Sequence, residues 1–159
     1  MRKAYITVAN YIFELLGFIG VIISAIYIFT VSRTVKEDIA VHYDMSGNAD
    51  VFGSPQEFLM LPRIMFLMLL VLVVVNHFVP AKCWNMPMKV KEVNQVLVYR
   101  AMSMMSSIMC TLSGLYTLIL SINMLNENSP AMLITVLYVV ALFADIIVWM
   151  VIAVKRNRI

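Results

Sequence analysis

The sequence predicts an all-α, polytopic membrane protein: a bundle of four transmembrane helices with both termini on the cytoplasmic side. Three observations lead there. Of 159 residues, 62% are hydrophobic and the mean hydropathy is +0.90, whereas soluble domains sit nearer half apolar. Only 13% are charged, about half the usual share. Four apolar stretches are each long enough for a hydrocarbon core, which takes about 20 residues. The length suits one domain, residues 1–159.

Span one runs from Val8 to Thr30. It is too long for a signal-peptide core and lacks a small-residue cleavage site, so it is expected to remain as a helix. The polar loop 31–57 follows. Span two, Phe58 to Val79, opens on Ser54-Pro55-Gln56-Glu57, a capping box with proline at the first helical position. Pro62 in its second turn removes a backbone bond and crowds a carbonyl four residues back, which predicts a kink. The next loop, Ala81 to Tyr99, carries Trp84 as an interfacial anchor. Met88 to Arg100 holds neither Gly nor Pro and predicts a helical extension of span three. Span three runs from Ala101 to Met124. Span four runs from Ala131 to Val154 and starts at Ser129-Pro130.

Lysine and arginine set the orientation. Arg2 and Lys3 precede span one; Lys82, Lys89, Lys91 and Arg100 lie between spans two and three; Lys155, Arg156 and Arg158 close the chain. The other side has Arg33 and Lys36, with Arg63 just inside span two. The positive-inside rule places both termini in the cytoplasm and the loop 31–57 outside. That loop is acidic, with Glu37, Asp38, Asp44, Asp50 and Glu57. The pI near 9.0 therefore reflects membrane topology, and no gathered basic patch points to nucleic acid. The bilayer is the expected partner, and a homo-oligomer is compatible with the small-residue faces below.

Cys83 and Cys110 fall in a loop and mid-span, too far apart for a disulfide. The 14 methionines read as gap-filling and lipid-facing side chains; a soft-metal site would need a converging set. No cofactor is expected. Span three carries a stripe of Ser103, Ser107, Cys110, Gly114, Thr117 and Ser121, spaced four and three on one helical face. Span one has Gly17, Gly20 and Ser24. Such faces let membrane helices approach closely; a polar cavity or a dimer seam is the other use of them.

Two carboxylates lie inside spans. At about 1.5 Å per residue, Glu14 sits about 7 Å and Asp145 about 4 Å to the cytoplasmic side of the midplane. Asn76 and His77 end span two just below. The four together make an expected polar cluster, either paired for structure or handling protons or ions.

The outer loop concentrates His42, Tyr43, Asp44, Asn48 and Asp50. Three readings stand: a folded turn capped by Asx side chains around Gly47-Asn48, a surface for a ligand or partner, or a cation site of carboxylate and amide oxygens. The spacing is not that of an EF-hand, and one histidine with two aspartates is a thin ligand set. Metal-assisted hydrolysis at His42, Asp44 and Asp50 is the nearest enzymatic option. The chain has no HExxH, GxSxG or paired-Asp protease pattern, so no enzyme and no metal are expected.

The segment Val41-His42-Tyr43-Asp44, Ser46-Gly47, Ala49-Asp50 and Gly53-Ser54, with Leu61-Pro62 beyond it, resembles the signature of the bacterial domain-of-unknown-function 1648 membrane family. A second patch is similar too: Asn85, Pro87, Lys89-Val90, Asn94 and Tyr99-Arg100. Together they cover about residues 38 to 103. The family is distantly similar to the immunity proteins against the sporulation-delaying toxin, which are polytopic, protect against a secreted peptide and take part in signalling. This chain is shorter. It has Ala40-Val41 where the family often has a Pro before the His, and Pro55 where a Lys is common. The resemblance implies a small bacterial plasma-membrane protein that binds or senses a peptide or protein ligand through its outer loop, of immunity type. The alternative is an accessory subunit or small transporter coupling ions through Glu14 and Asp145.

Overall fold

The structure, a computed structural model, describes residues 4–35, 38–44, 48–125 and 131–158. Four helices make up most of it: α1 (Val8–Thr34), α2 (Met60–Phe78), α3 (Gln95–Leu125) and α4 (Ala131–Arg158). All four are long and apolar enough to cross a membrane, α2 together with the 3-10 turn before it. Contacts fix their directions. Asn10 meets Ser103 and Ser24 meets Ser121, so α1 and α3 run parallel. Asn76 reaches Glu14, and Tyr138 reaches Ser113 while Arg156 reaches Leu97, so α2 and α4 run the opposite way. One end of the bundle therefore carries the start of α1 and the end of α4. The other carries residues 38–59.

The seam between α1 and α3 is the centre of the bundle. On α1 the buried residues Asn10, Glu14, Gly17, Gly20 and Ser24 recur at helical spacing. They meet the buried stripe Ser103, Ser107, Cys110, Gly114, Thr117 and Ser121 of α3. The backbones touch. A methyl placed on Gly20 would lie 2.6 Å from the Gly114 carbonyl oxygen, and one on Gly17 would strike the Cys110 carbonyl. Close approach of this kind is what small residues allow where no hydrophobic force drives helices together. Hydroxyls stitch it further: Ser24 and Ser121 lie 2.7 Å apart, and Thr111 Oγ1 donates to the Phe13 carbonyl at 2.6 Å. Thr117 and Ser121 also donate to carbonyls four residues back, at 2.7 Å each, which gives both hydroxyl protons an acceptor in an apolar setting.

Helix α2 packs Met65 and Leu69 against Val21 and Cys110. Helix α4 covers the far face of α3, with Tyr116 stacked on Tyr138 at 4.1 Å and Ala153 against Val98 and Ala101. It is the least covered helix. Leu137, Val140, Phe143 and Ile147 all stand exposed, as lipid-facing residues would.

Three features differ from the expectation. First, a small β element joins the helices. Ile39–Tyr43 (β1) and Ala49–Gly53 (β2) pair as an antiparallel hairpin. Alternating apolar residues at Ile39, Val41 and Tyr43 suit a pleated strand. Asp44 closes the turn: its backbone N–H donates to the Asn48 carbonyl at 2.9 Å, and its carboxylate accepts from the Asn48 N–H at 2.8 Å. Second, Pro62 is the third residue of α2, preceded by a 3-10 turn over Pro55–Leu59. The proline thus sits at a 3-10 to α junction, where its missing N–H costs little. Third, the helical run into span three begins at the 3-10 turn Glu92–Asn94 rather than at Met88. The expected start of span four at Ser129-Pro130 lies outside the described residues.

The end with the termini is closed by aromatic rings. Tyr5 packs edge-on to Trp84 at 5.6 Å and to Tyr99 at 5.9 Å. Asn157 straps the loop to α4, donating to the Lys89 carbonyl at 2.8 Å and accepting from the Lys91 N–H at 2.9 Å. Cys83 is exposed, Cys110 is buried, and both are free thiols.

Candidate functional site

Two sites emerge: the hairpin at one end and a polar cluster buried between α1, α2 and α3 towards the other.

The hairpin stands on a small apolar base. Ile28 of α1, Ile39 of β1 and Phe58 of the 3-10 turn are buried together, with Val41, Met124 and Leu125 packed against them. Two helices and the 3-10 turn thus brace it from below. A capping box fixes the exit: Ser54 Oγ accepts from the Gln56 N–H at 3.3 Å and Glu57 accepts from the Ser54 N–H at 3.2 Å. The strand register slips between Ala40 and His42 and again between His42 and Tyr43. Bulges re-aim side chains. Here His42 Nδ1 and Asp50 Oδ1 stand 2.6 Å apart while their side chains stay 64% and 44% exposed. Val51 and Phe52 beside them are exposed as well.

The five loop residues chosen from the sequence therefore divide. His42 and Asp50 form an exposed pair. Asp44 and Asn48 are committed to the turn, with a second bond from Asn48 Nδ2 to Asp44 Oδ2 at 3.3 Å. Tyr43 pairs through its backbone with Ala49. Gly47 lies outside the described residues. Among the described residues no group of three or more His, Cys, Asp or Glu side chains is placed to hold a metal. What remains is a polar handle, an imidazole and a carboxylate, that can give and accept hydrogen bonds beside an exposed aromatic ring.

The buried cluster is denser than the sequence suggested. Glu14 is 5% exposed. Its Oε2 lies 2.6 Å from His77 Nε2. Its Oε1 accepts from Asn76 Nδ2 at 2.7 Å and from Ser107 Oγ at 2.8 Å. Tyr11 packs on the His77 ring at 4.9 Å. Asn10 extends the network, donating to Ser103 Oγ and Ser107 Oγ at 2.9 Å each and accepting from the Thr7 N–H at 2.9 Å. A carboxylate buried this deeply needs a partner and full hydrogen bonding, and it has both. The Glu14–His77 pair can hold a proton.

Asp145 does not join this cluster. The seam with α1 occupies the Ser103–Ser107–Cys110 face of α3, whereas α4 packs on the face of Val98, Ala101, Ser113 and Tyr116. Similar depth along the bundle does not bring two side chains together when a helix stands between them. Asp145 is 8% exposed, and its Oδ2 is buried without a hydrogen-bond partner among the described residues. Asn10, Ser103 and Ser107 take the places expected for it. A signal for Asn10 existed: it lies one turn before Glu14 on the Gly17–Gly20–Ser24 face.

No family model, curated protein or solved structure matches the chain.

Proposed function

We propose that the chain is a non-enzymatic binding or sensing protein of a bacterial plasma membrane, of the domain-of-unknown-function 1648 type, with its termini in the cytoplasm and its hairpin outside. One observation carries this: the exposed His42–Asp50 pair sits on a hairpin braced by α1, α3 and the 3-10 turn that leads into α2. A ligand held by His42, Asp50 and Phe52 would load Ile39 and Phe58, and through them α1 and the tightly fitted α1/α3 seam. Immunity against an external peptide is the narrower form of the same role. The positive face at the other end, with Lys89, Lys91, Lys155 and Arg156, would meet the anionic inner leaflet.

A second reading has its own support. The buried Glu14–His77 pair suits an accessory subunit or small transporter that moves a proton, with Asp145 acting separately from it.

A photo-crosslinking residue at Phe52, in cells of the host bacterium, separates the two. Binding through the hairpin predicts a discrete adduct at Phe52, lost in folded His42→Ala and Asp50→Ala proteins and kept in Glu14→Gln. The same result at the α4 position Val140 as at Phe52, or loss only in Glu14→Gln, would overturn it.

A further inference from the structure

Arg63 is a charge within the apolar run of span two. It lies in the third turn of the helical run that begins at Pro55, about 12 Å along the axis at 1.5 Å per residue. It stands exposed on the outside of the bundle. Among the described residues it has neither a hydrogen bond nor an ion pair. A guanidinium at that depth in hydrocarbon costs several kcal/mol unless it finds water, a headgroup or a counter-charge.

Its surroundings indicate which. Arg63 lines a groove of about 420 Å³ between α1 and α2, whose other walls are Val21, Ile22, Ala25, Pro62, Phe66 and Leu67. The walls are apolar and open to the outside of the bundle. A second cation lies further along α1, about 12 Å beyond Ala25 at 1.5 Å per residue. Ile22, Phe29 and Arg33 share one face of α1 by spacing, and the Arg33 guanidinium lies 4.3 Å over the Phe29 ring. The acid nearest in the chain, Glu57, is engaged by the Ser54 cap. So an apolar slot carries one cation on its wall, a second stands on the same face of α1 beyond it, and among the described residues no anion is paired with either. That is the chemistry of an anionic phospholipid: a phosphate for guanidinium and an acyl chain for the slot. The stem of Arg63 is long enough to carry its charge up towards the headgroup layer.

We propose that the α1/α2 groove binds one anionic phospholipid of the leaflet at the hairpin end, with Arg63 holding the headgroup phosphate, Arg33 beyond it on α1, and an acyl chain along Ile22, Ala25 and Phe66. This rests on the four helices spanning a membrane, as proposed above. The lipid would also wedge α1 against α2 directly below the hairpin base.

The test is native mass spectrometry of the detergent-purified protein titrated with phosphatidylglycerol, phosphatidylcholine or inorganic phosphate. The parent should retain one phosphatidylglycerol in preference to phosphatidylcholine, and inorganic phosphate should not displace it. Arg63→Gln should weaken retention by about fivefold, the scale of one Arg–headgroup attraction, and Ala25→Phe should weaken it by filling the slot; Arg63→Lys should restore part of it. Circular dichroism melts matching the parent show that the variants are folded. Parental retention in folded Arg63→Gln overturns the proposal, as does equal retention of phosphatidylcholine or displacement by inorganic phosphate. A species of twice the mass that is lost in Arg63→Gln would put a second copy in the groove and overturn it too. Release of the protein from membranes by alkaline carbonate would instead refute the spanning bundle itself.

Discussion

One methyl group at Gly20 tests the α1/α3 seam. In Gly20→Ala the new carbon would lie 2.6 Å from the Gly114 carbonyl oxygen, where ordinary contact begins at 3.4 Å. The obstacle is backbone, so no rotamer change can clear it. The helices must part locally by about 0.8 Å, the difference between those two distances. Ser24 and Ser121, one turn away, lie 2.7 Å apart, and a shift of that size takes them beyond hydrogen-bonding range. Overpacking costs about 1–3 kcal/mol, and a lost interhelical hydrogen bond in a membrane adds about 0.6 kcal/mol. The expected loss is therefore about 2–4 kcal/mol. Reversible SDS unfolding in bicelles, followed by circular dichroism, measures it. Ser24→Ala is the comparison, because it removes the hydrogen bond and leaves the fit, at about 0.6 kcal/mol. If Gly20→Ala costs no more than Ser24→Ala, the helices are not in backbone contact and the seam is wrongly described.

Three further outcomes follow from the same geometry. His77→Ala strands the Glu14 carboxylate and should cost about 3–5 kcal/mol in the same assay, whereas Glu14→Gln keeps hydrogen-bonding atoms in place and should cost about 1 kcal/mol. Ser54→Ala removes the acceptor for the Gln56 N–H and should cost about 1 kcal/mol, seen as faster amide exchange over residues 54–58. Asn157→Ala cuts the strap to Lys89 and Lys91, and limited proteolysis should then cleave the 85–94 loop faster while the helices stay protected.

The helices were legible because a hydrocarbon core takes long apolar runs to cross, and four such runs stand in a chain that is 62% apolar. The α3 stripe was legible for a related reason. Ser103, Ser107, Gly114 and Ser121 are small at helical spacing, and only contact between helices makes that useful. The hairpin was obscured by its polar residues. Asp44 and Asn48 suit a cation site or a turn equally well in sequence, and they interrupt the alternation of Ile39, Val41 and Tyr43 with Val51 that is the strand signal. The His42–Asp50 pair depends on two bulges, and nothing in a linear sequence announces a register slip. Asp145 failed for a geometric reason. Depth can be counted along a chain, but the azimuth of one helix about another follows from packing, and α4 chose the far face of α3.

The central claim is that the hairpin faces outside while the loop at the other end faces the cytoplasm. Cys83 is exposed in that loop and Phe52 is exposed on the hairpin, so the chain supplies one reporter and accepts another. A membrane-impermeant maleimide applied to intact cells should label Phe52→Cys in a Cys83→Ser background and should label native Cys83 only after permeabilisation. Labelling of Cys83 in intact cells, with Phe52→Cys silent until the membrane is opened, would invert the protein and remove the ground for recognition by the hairpin.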